Sequence, residues 1–137
     1  MTFDSMYMEN ILDHYKNPQN KGKIEQPQIE NKEKNPSCGD EIEVTATINN
    51  NNHITDIKYD GHGCAISQAA ISMVTEEVKG KDIEEILKLK KENVLELLGI
   101  DIVPMRIKCA MLGLRVLQRG ILKFEGKRES EILLSEI

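Results

Sequence analysis

The sequence lacks the features that mark nucleic-acid-binding, membrane and disulfide-rich secreted proteins. Acidic residues outnumber basic ones among its 137 residues and give a formal net charge of -5, whereas phosphate binding draws on clustered lysine and arginine. No apolar run is long enough to cross a bilayer, and residues 1–10 contain no basic region followed by an apolar stretch. We therefore predict a cytoplasmic protein with neither nucleic acid nor membrane as a partner.

Cysteine is also scarce, and the three cysteines are an odd number. At spacings of 26 and 45 residues they make a poor disulfide framework, but they suit metal ligation or redox chemistry in a reducing compartment. For any one of them, burial as a small hydrophobic side chain is the simpler alternative. Each lies in a short motif: Ser37-Cys38-Gly39-Asp40, Gly61-His62-Gly63-Cys64-Ala65 and Arg106-Ile107-Lys108-Cys109-Ala110.

The first half of the chain contains one helical pattern and one hairpin pattern. Apolar residues four apart predict a helix over residues 5–16. The polar, proline-rich residues 17–36 then predict a linker or irregular edge structure. From Ile42 to Ile48 apolar and polar residues alternate as in a half-buried strand, and residues 54–59 return as the second strand after an asparagine-rich turn.

Helical periodicity dominates the second half of the chain. Apolar spacing predicts a helix from Cys64 to Gly80, a short helix from Asp82 through Leu89, and further turns over residues 92–98. A long final helix follows, with a buried stripe from Ala110 to Ile121. A hydrophobic content of 39% is enough for one small domain with a modest core.

The hairpin is expected to bring the first two cysteine motifs together. Because antiparallel strands return the chain to its starting end, Cys38, Asp40 and Cys64 should meet there. Cys38 and Asp40 are two residues apart in an extended segment, so their side chains face the same way. Cys64 and Cys109 are each predicted near a helix N-terminus, where the helix dipole favours thiolate over thiol.

Three thiolates and the Asp40 carboxylate make four ligands, enough for tetrahedral zinc or a small iron–sulfur cluster. On a divalent centre these ligands leave a net charge of roughly -2, which Lys108 or Arg106 could partly neutralise. Either cation could equally be a solvated side chain of a first helical turn. Asp40 alone would also suit a turn before a strand, and His62 is a weaker alternative ligand.

These motifs, in this order, resemble those of the IscU/SufU/NifU N-terminal family of iron–sulfur cluster assembly proteins. The resemblance extends over nearly the whole chain, residues 1–137, as a single domain. It implies an α/β (α+β) fold, in which a small antiparallel β-sheet packs against helices and a metal site lies at one exposed end. The matching motifs are His14-Tyr15-Lys16-Asn17-Pro18, Asn35-Pro36-Ser37-Cys38-Gly39-Asp40, Gly61-His62-Gly63-Cys64-Ala65-Ile66-Ser67, Val78-Lys79-Gly80-Lys81 and Arg106-Ile107-Lys108-Cys109-Ala110.

The resemblance also implies a chemistry. Family members receive sulfur from a cysteine desulfurase, and the scaffold branch assembles a cluster and passes it to apo iron–sulfur acceptor proteins. Cys38, Asp40, Cys64 and Cys109 match the family's site positions, which makes them the expected ligands of a [2Fe–2S] cluster or iron, or alternatively of Zn²⁺. The three cysteines are also the candidate persulfide acceptors.

Two departures from the family pattern leave the branch open. Lys108 stands where scaffold-type members usually have histidine, and residues 102–106 replace the stretch that a dedicated chaperone recognises. The Arg-x-Lys-Cys ending resembles SufU instead, although the interval before Cys109 is too short for the additional segment usual in that branch. The hypotheses are therefore a non-enzymatic scaffold, a zinc-dependent sulfurtransferase, and a structural zinc domain used for protein binding.

Quaternary structure is not readable from the sequence, so a homodimer stays open. Four apolar residues near the end of the chain fit either a short docking helix or a partner contact. They are Ile132, Leu133, Leu134 and Ile137.

Overall fold

The computed structural model describes residues 3–36 and 39–126, in which five helices accompany one three-stranded antiparallel sheet of order β1-β2-β3. This architecture confirms the predicted fold class. None of the described helices is long and apolar enough to span a bilayer, and the apolar residues 132–134 and 137 lie outside the described part of the chain. The elements are α1 (Phe3–Lys16), β1 (Ile29–Lys34), β2 (Glu41–Ile48), β3 (Ile54–His62), α2 (Ala65–Val78), α3 (Ile83–Leu87), α4 (Lys91–Leu98) and α5 (Pro104–Glu125).

The predicted hairpin is the β2–β3 pair. At its turn the Asn52 amide donates to the Asn49 carbonyl at 3.0 Å, and Asn52 adopts a left-handed φ of 62°, which asparagine tolerates. At the opposite end of the pair, Glu41 lies beside His62. The segments that precede β2 and follow β3 therefore leave the sheet next to each other.

Strand β1 is the element that the sequence pattern missed, and the prediction of a linker or irregular structure is wrong there. Only its first residue, Ile29, is apolar, yet Asn31 on the same face is also buried. The Asn31 amide donates to the Val116 carbonyl at 3.0 Å, and its oxygen accepts from the Lys123 ammonium at 2.6 Å. A buried polar residue that is satisfied by hydrogen bonds interrupts the alternation of apolar and polar residues by which a strand is predicted.

The helices α1 to α4 begin close to their predicted positions, whereas α5 begins earlier than predicted, at Pro104. Asp82 caps α3, because its carboxylate accepts a hydrogen bond from the Glu84 amide at 2.8 Å, but α3 ends at Leu87 rather than Leu89. α2 and α5 pack closely through a glycine: a Cβ on Gly113 would lie 2.6 Å from the Ile71 Cδ1 atom.

The hydroxyl of Ser72 joins α1 and the following loop to α2. This hydroxyl lies 2.7 Å from His14 Nδ1 and accepts a hydrogen bond from the Gln19 backbone N–H at 2.8 Å. The buried Tyr59 phenol also hydrogen-bonds to Ser72, and its burial raises the pKa of Tyr59 to about 12. His14, which the sequence left without a role, therefore anchors the first helix.

The contact between α2 and α5 predicts a stability effect. Gly113→Val should lower the free energy of unfolding by about 1–3 kcal/mol, because the added side chain must displace Ile71 in a packed core. Urea unfolding measures the change. Glu96→Val, at an exposed position of α4, is the control and should cost less than about 1 kcal/mol. Equal stability of the two variants would show that the interface accommodates a larger residue.

Candidate metal centre

Asp40 lies directly before β2 and is 3% exposed. The preceding Gly39 has a φ of 76°, a left-handed conformation that glycine adopts without steric cost. One Asp40 carboxylate oxygen, Oδ1, accepts a hydrogen bond from the Cys64 amide at 3.1 Å. The other, Oδ2, lies 3.6 Å from the Cys64 sulfur. The carboxylate thus spans from the start of β2 to the start of α2, and Oδ2 faces the thiol.

Gly63 makes this approach sterically possible. A Cβ at this position would lie 2.6 Å from Asp40 Oδ1 and 2.7 Å from the Ser67 hydroxyl oxygen, both too close for real atoms. The φ of Gly63 is not in the left-handed region, so the residue is needed for space rather than for backbone conformation. Glycine at this position therefore lets the Asp40 carboxylate and Ser67 approach the backbone before α2.

Cys64 is the N-cap residue of α2, as predicted, and it is half-buried. Its backbone is extended, with φ -72° and ψ 165°, and no side chain caps the helix. The first amides of a helix have no partner within the helix, and they carry the positive end of the helix dipole. Cys64 therefore lies at the positive end of α2.

Cys109 is buried, with 2% exposure, and lies further into its helix than predicted. α5 begins at Pro104, so Cys109 is its sixth residue, beyond the first turn in which the helix dipole acts. Its charge partner is instead the Arg106 guanidinium, three residues earlier on the same face. A hydrogen bond to Cys109, together with the charges of the Cys64 and Cys109 thiolates, raises the pKa of the exposed Arg106.

Asp40, Cys64 and Cys109 form the one group of potential metal ligands found in the described part of the chain. Their ligand atoms all lie within 4.8 Å of one another. Zinc–sulfur bonds near 2.3 Å and zinc–oxygen bonds near 2.1 Å place tetrahedral ligand atoms about 3.3–3.8 Å apart, so a small closure would suit one ion. Two sulfurs and one carboxylate oxygen also match the chemistry of zinc and iron–sulfur sites.

Three other predicted site residues differ from this group in their placement. Cys38 lies outside the described residues. His62 is exposed and lies 3.5 Å from the Glu41 carboxylate, and it does not belong to the ligand group. Lys108 is exposed and lines a separate cleft with Lys34 and other cations. Of the two cations proposed to support the site, only Arg106 has a described interaction with a ligand cysteine.

Gln68 is a feature of this region that the sequence analysis overlooked. It is 6% exposed, and its amide nitrogen Nε2 has no hydrogen-bond partner in the described structure. It follows Cys64 by four residues, and its own backbone N–H donates to the Cys64 carbonyl at 3.1 Å. A polar residue within the apolar stripe of α2, one turn after a ligand cysteine, is the signal that could have indicated it.

Comparison with known proteins identifies relatives over most of this chain. The family model of the NifU-like N-terminal domain matches residues 6–131. The zinc-dependent sulfurtransferase SufU of Bacillus subtilis is 37% identical, with 90% of this chain and 94% of SufU covered. The iron–sulfur cluster assembly scaffold protein IscU 1 of Archaeoglobus fulgidus is 39% identical, with 89% and 78% covered.

Solved structures agree with these matches. A Fervidobacterium islandicum protein assigned as a cluster assembly scaffold of the SUF system superposes with a TM-score of 0.72 at 30% identity, covering 82% of this chain and 94% of that protein. A NifU-like N-terminal protein from Brucella abortus shares the fold, with a TM-score of 0.74 at 19% identity over 91% of this chain and 98% of its own.

The close approach of Gly63 to Asp40 predicts the effect of one methyl group. Gly63→Ala should weaken zinc binding by about tenfold or more, because the new Cβ must displace the Asp40 carboxylate. Competition with a chromogenic chelator measures the affinity, and thermal unfolding checks the fold. Gly120→Ala on α5 adds a methyl group 3.2 Å from Asn31 Cβ and Ile29 Cγ2 of β1, so it controls for a packing cost away from the ligand group and should leave zinc affinity unchanged. Wild-type affinity in Gly63→Ala would contradict the assigned geometry.

Proposed function

The chain belongs to the NifU-like N-terminal domain family, and from this premise we propose that it is a scaffold for iron–sulfur cluster assembly. It accepts sulfur from a cysteine desulfurase, holds a nascent [2Fe–2S] cluster as its cargo, and passes the cluster to apo-proteins. The observation that carries the proposal is the convergence of Asp40, Cys64 and Cys109 from three separate segments of the chain. Cys38 is proposed as the fourth ligand.

The surroundings of the ligands support both retention and release of cargo. Asp40 uses Oδ1 for the Cys64 amide, which leaves Oδ2 beside the sulfur as a single ligand oxygen. An oxygen donor is a poorer partner than thiolate for iron in a sulfur-rich site, so this position is the one most readily exchanged. Cys64 is partly buried whereas Cys109 is buried, so an acceptor protein is proposed to approach the site from the Cys64 side.

Arg106 is proposed to balance part of the negative charge of the site. Two thiolates and one carboxylate exceed the charge of a divalent ion, and the guanidinium hydrogen-bonds to Cys109 while its body stays exposed. Because Arg106 is exposed, its guanidinium can keep its hydrogen bond to Cys109 whether or not the site holds cargo, and the core need not rearrange.

A zinc-dependent sulfurtransferase is the second candidate, and two observations favour it. The donor set suits a single zinc ion, and lysine occupies position 108, where scaffold-type relatives usually have histidine. In this case Asp40, Cys64 and Cys109 would hold Zn²⁺, which keeps thiolates deprotonated at neutral pH. A cysteine thiolate would then attack the desulfurase persulfide, and the desulfurase cysteine would leave as a thiolate.

We further propose that the protein works in the cytoplasm with a cysteine desulfurase and apo iron–sulfur proteins as its partners. A structural zinc domain used only for protein binding is the third hypothesis, and it differs in requiring no sulfur transfer.

Anaerobic reconstitution with iron and sulfide tests the scaffold proposal. We expect visible absorption of a [2Fe–2S] cluster, and in Asp40→Ala an at least severalfold slower loss of the cluster to a chelator, because the labile oxygen ligand is gone. Asp40→Asn retains an oxygen to accept the Cys64 N–H bond and separates ligand loss from structural damage. Colourless protein with stoichiometric zinc, resistant to reconstitution, would refute the scaffold proposal, and so would faster cluster loss from a folded Asp40→Ala variant.

Sulfur transfer is tested by incubation with the desulfurase and cysteine, followed by intact-mass analysis. We expect an added mass of one sulfur atom, removable by a thiol reductant and absent when all three cysteines are changed to serine. Single cysteine variants then identify the acceptor. If no cysteine carries the adduct while the zinc-loaded protein is folded, both sulfur-handling proposals fail and the structural zinc domain is favoured.

A further inference from the structure

Gln68 presents a hydrogen-bond donor that the described structure does not use. The residue is 6% exposed, and Nε2 lacks a partner although buried amide groups in proteins are almost always hydrogen-bonded. An unpaired buried donor of this kind is explained by a ligand, ion or water that completes it. Its neighbour Ser67 does not share this property, since the Ser67 hydroxyl donates to the Cys64 carbonyl at 3.1 Å.

Gln68 follows Cys64 by about one helical turn of α2, and its backbone N–H donates to the Cys64 carbonyl at 3.1 Å. Residues four apart lie on the same face of a helix, and side chains tilt toward the helix N-terminus. A glutamine at this position is therefore within reach of the residue at the start of the helix. Ser72, one turn further along this side of α2, already bonds to His14 and the Gln19 amide.

The proposed acceptor for this donor is the Cys64 sulfur, which contacts a different group in the described structure. The Cys64 thiol contacts Asp40 Oδ2 at 3.6 Å in the geometry of a donor. When a metal binds, cysteine coordinates as the thiolate, and the sulfur becomes an acceptor of hydrogen bonds. Hydrogen bonds from outside the ligand set orient metal ligands and tune the metal.

We propose that Gln68 is a positioning residue of the metal centre, and that its Nε2–H donates a hydrogen bond to the Cys64 thiolate when the site is loaded. This hydrogen bond would complete a buried donor that has no partner in the described structure. The inference rests on the metal-binding part of the proposed function, and it is independent of whether the cargo is a cluster or zinc.

The variant Gln68→Met tests the proposal, because methionine has nearly the same length but cannot donate. In the metal-free protein we expect an unchanged or higher melting temperature, since a buried unpaired N–H is removed. In the loaded protein we expect zinc affinity to fall by about tenfold and the zinc-induced rise in melting temperature to shrink. With Co²⁺ as the probe, the sulfur-to-metal charge-transfer bands should shift relative to wild type.

Gln118→Met is the matched control. Gln118 is also a fully buried glutamine, but its Nε2 donates to the carbonyls of Ile86 and Leu89, each at 3.0 Å. Its replacement should lower the melting temperature of metal-free and loaded protein alike. Zinc affinity and the Co²⁺ spectrum should remain those of wild type.

The outcomes separate the possible failures. If folded Gln68→Met has the zinc affinity and the Co²⁺ bands of wild type, the proposal is overturned. The metal site itself is unaffected by this outcome. Wild-type protein that binds neither Zn²⁺ nor Co²⁺ would overturn the metal site and the proposal together. Gln68→Leu, similar in size and unable to donate, is the second variant should Gln68→Met not fold, and the proposal requires it to bind zinc more weakly than wild type.

Discussion

The hydrogen bond from the Cys64 amide to the Asp40 carboxylate is the interaction on which the rest of the site depends. It joins the residue before β2 to the first turn of α2, at the sheet end where Glu41 and His62 lie side by side. Because Asp40 is almost fully buried, losing this hydrogen bond would weaken the compensation of a carboxylate in a region that water reaches poorly. The bond thus fixes where α2 starts and how its ligand cysteine is presented.

The three described ligands are held with different degrees of rigidity. Asp40 is fixed by the backbone of a neighbouring segment, and Cys109 is fixed by burial within a long helix that packs through Gly113 against α2. Cys64 is held at its backbone by the same Asp40 bond, but its side chain is less buried than those of the other two residues. A centre with two buried ligands and one more accessible ligand retains its geometry while a partner approaches from one side, which suits the proposed role of holding and releasing cargo.

Sequence patterns predicted the hairpin and most of the helices, and cysteine motifs named Asp40, Cys64 and Cys109 as candidate ligands, because periodicity and motifs are local signals. β1 was missed because Asn31 fills a core-facing position by bonding to Val116 and Lys123, partners more than 80 residues away. The depth of Cys109 in α5 depended on Pro104 beginning the helix, a boundary that apolar spacing alone placed too late. Gln68 was missed for a related reason: α2 buries several polar residues, among them Ser67, Ser72 and Thr75, and only the hydrogen bonds of each one set Gln68 apart.

The polarity that concealed β1 has a consequence for the behaviour of the protein at high concentration. β1 is an edge strand, and in the described part of the chain no other strand pairs with its outer side. Its sequence, IENKEK, carries four charged side chains. Alternating charges on an exposed edge oppose pairing between copies of the sheet, since each added molecule would have to desolvate them. The strand that closes the core on one side thereby protects the protein from edge-to-edge aggregation.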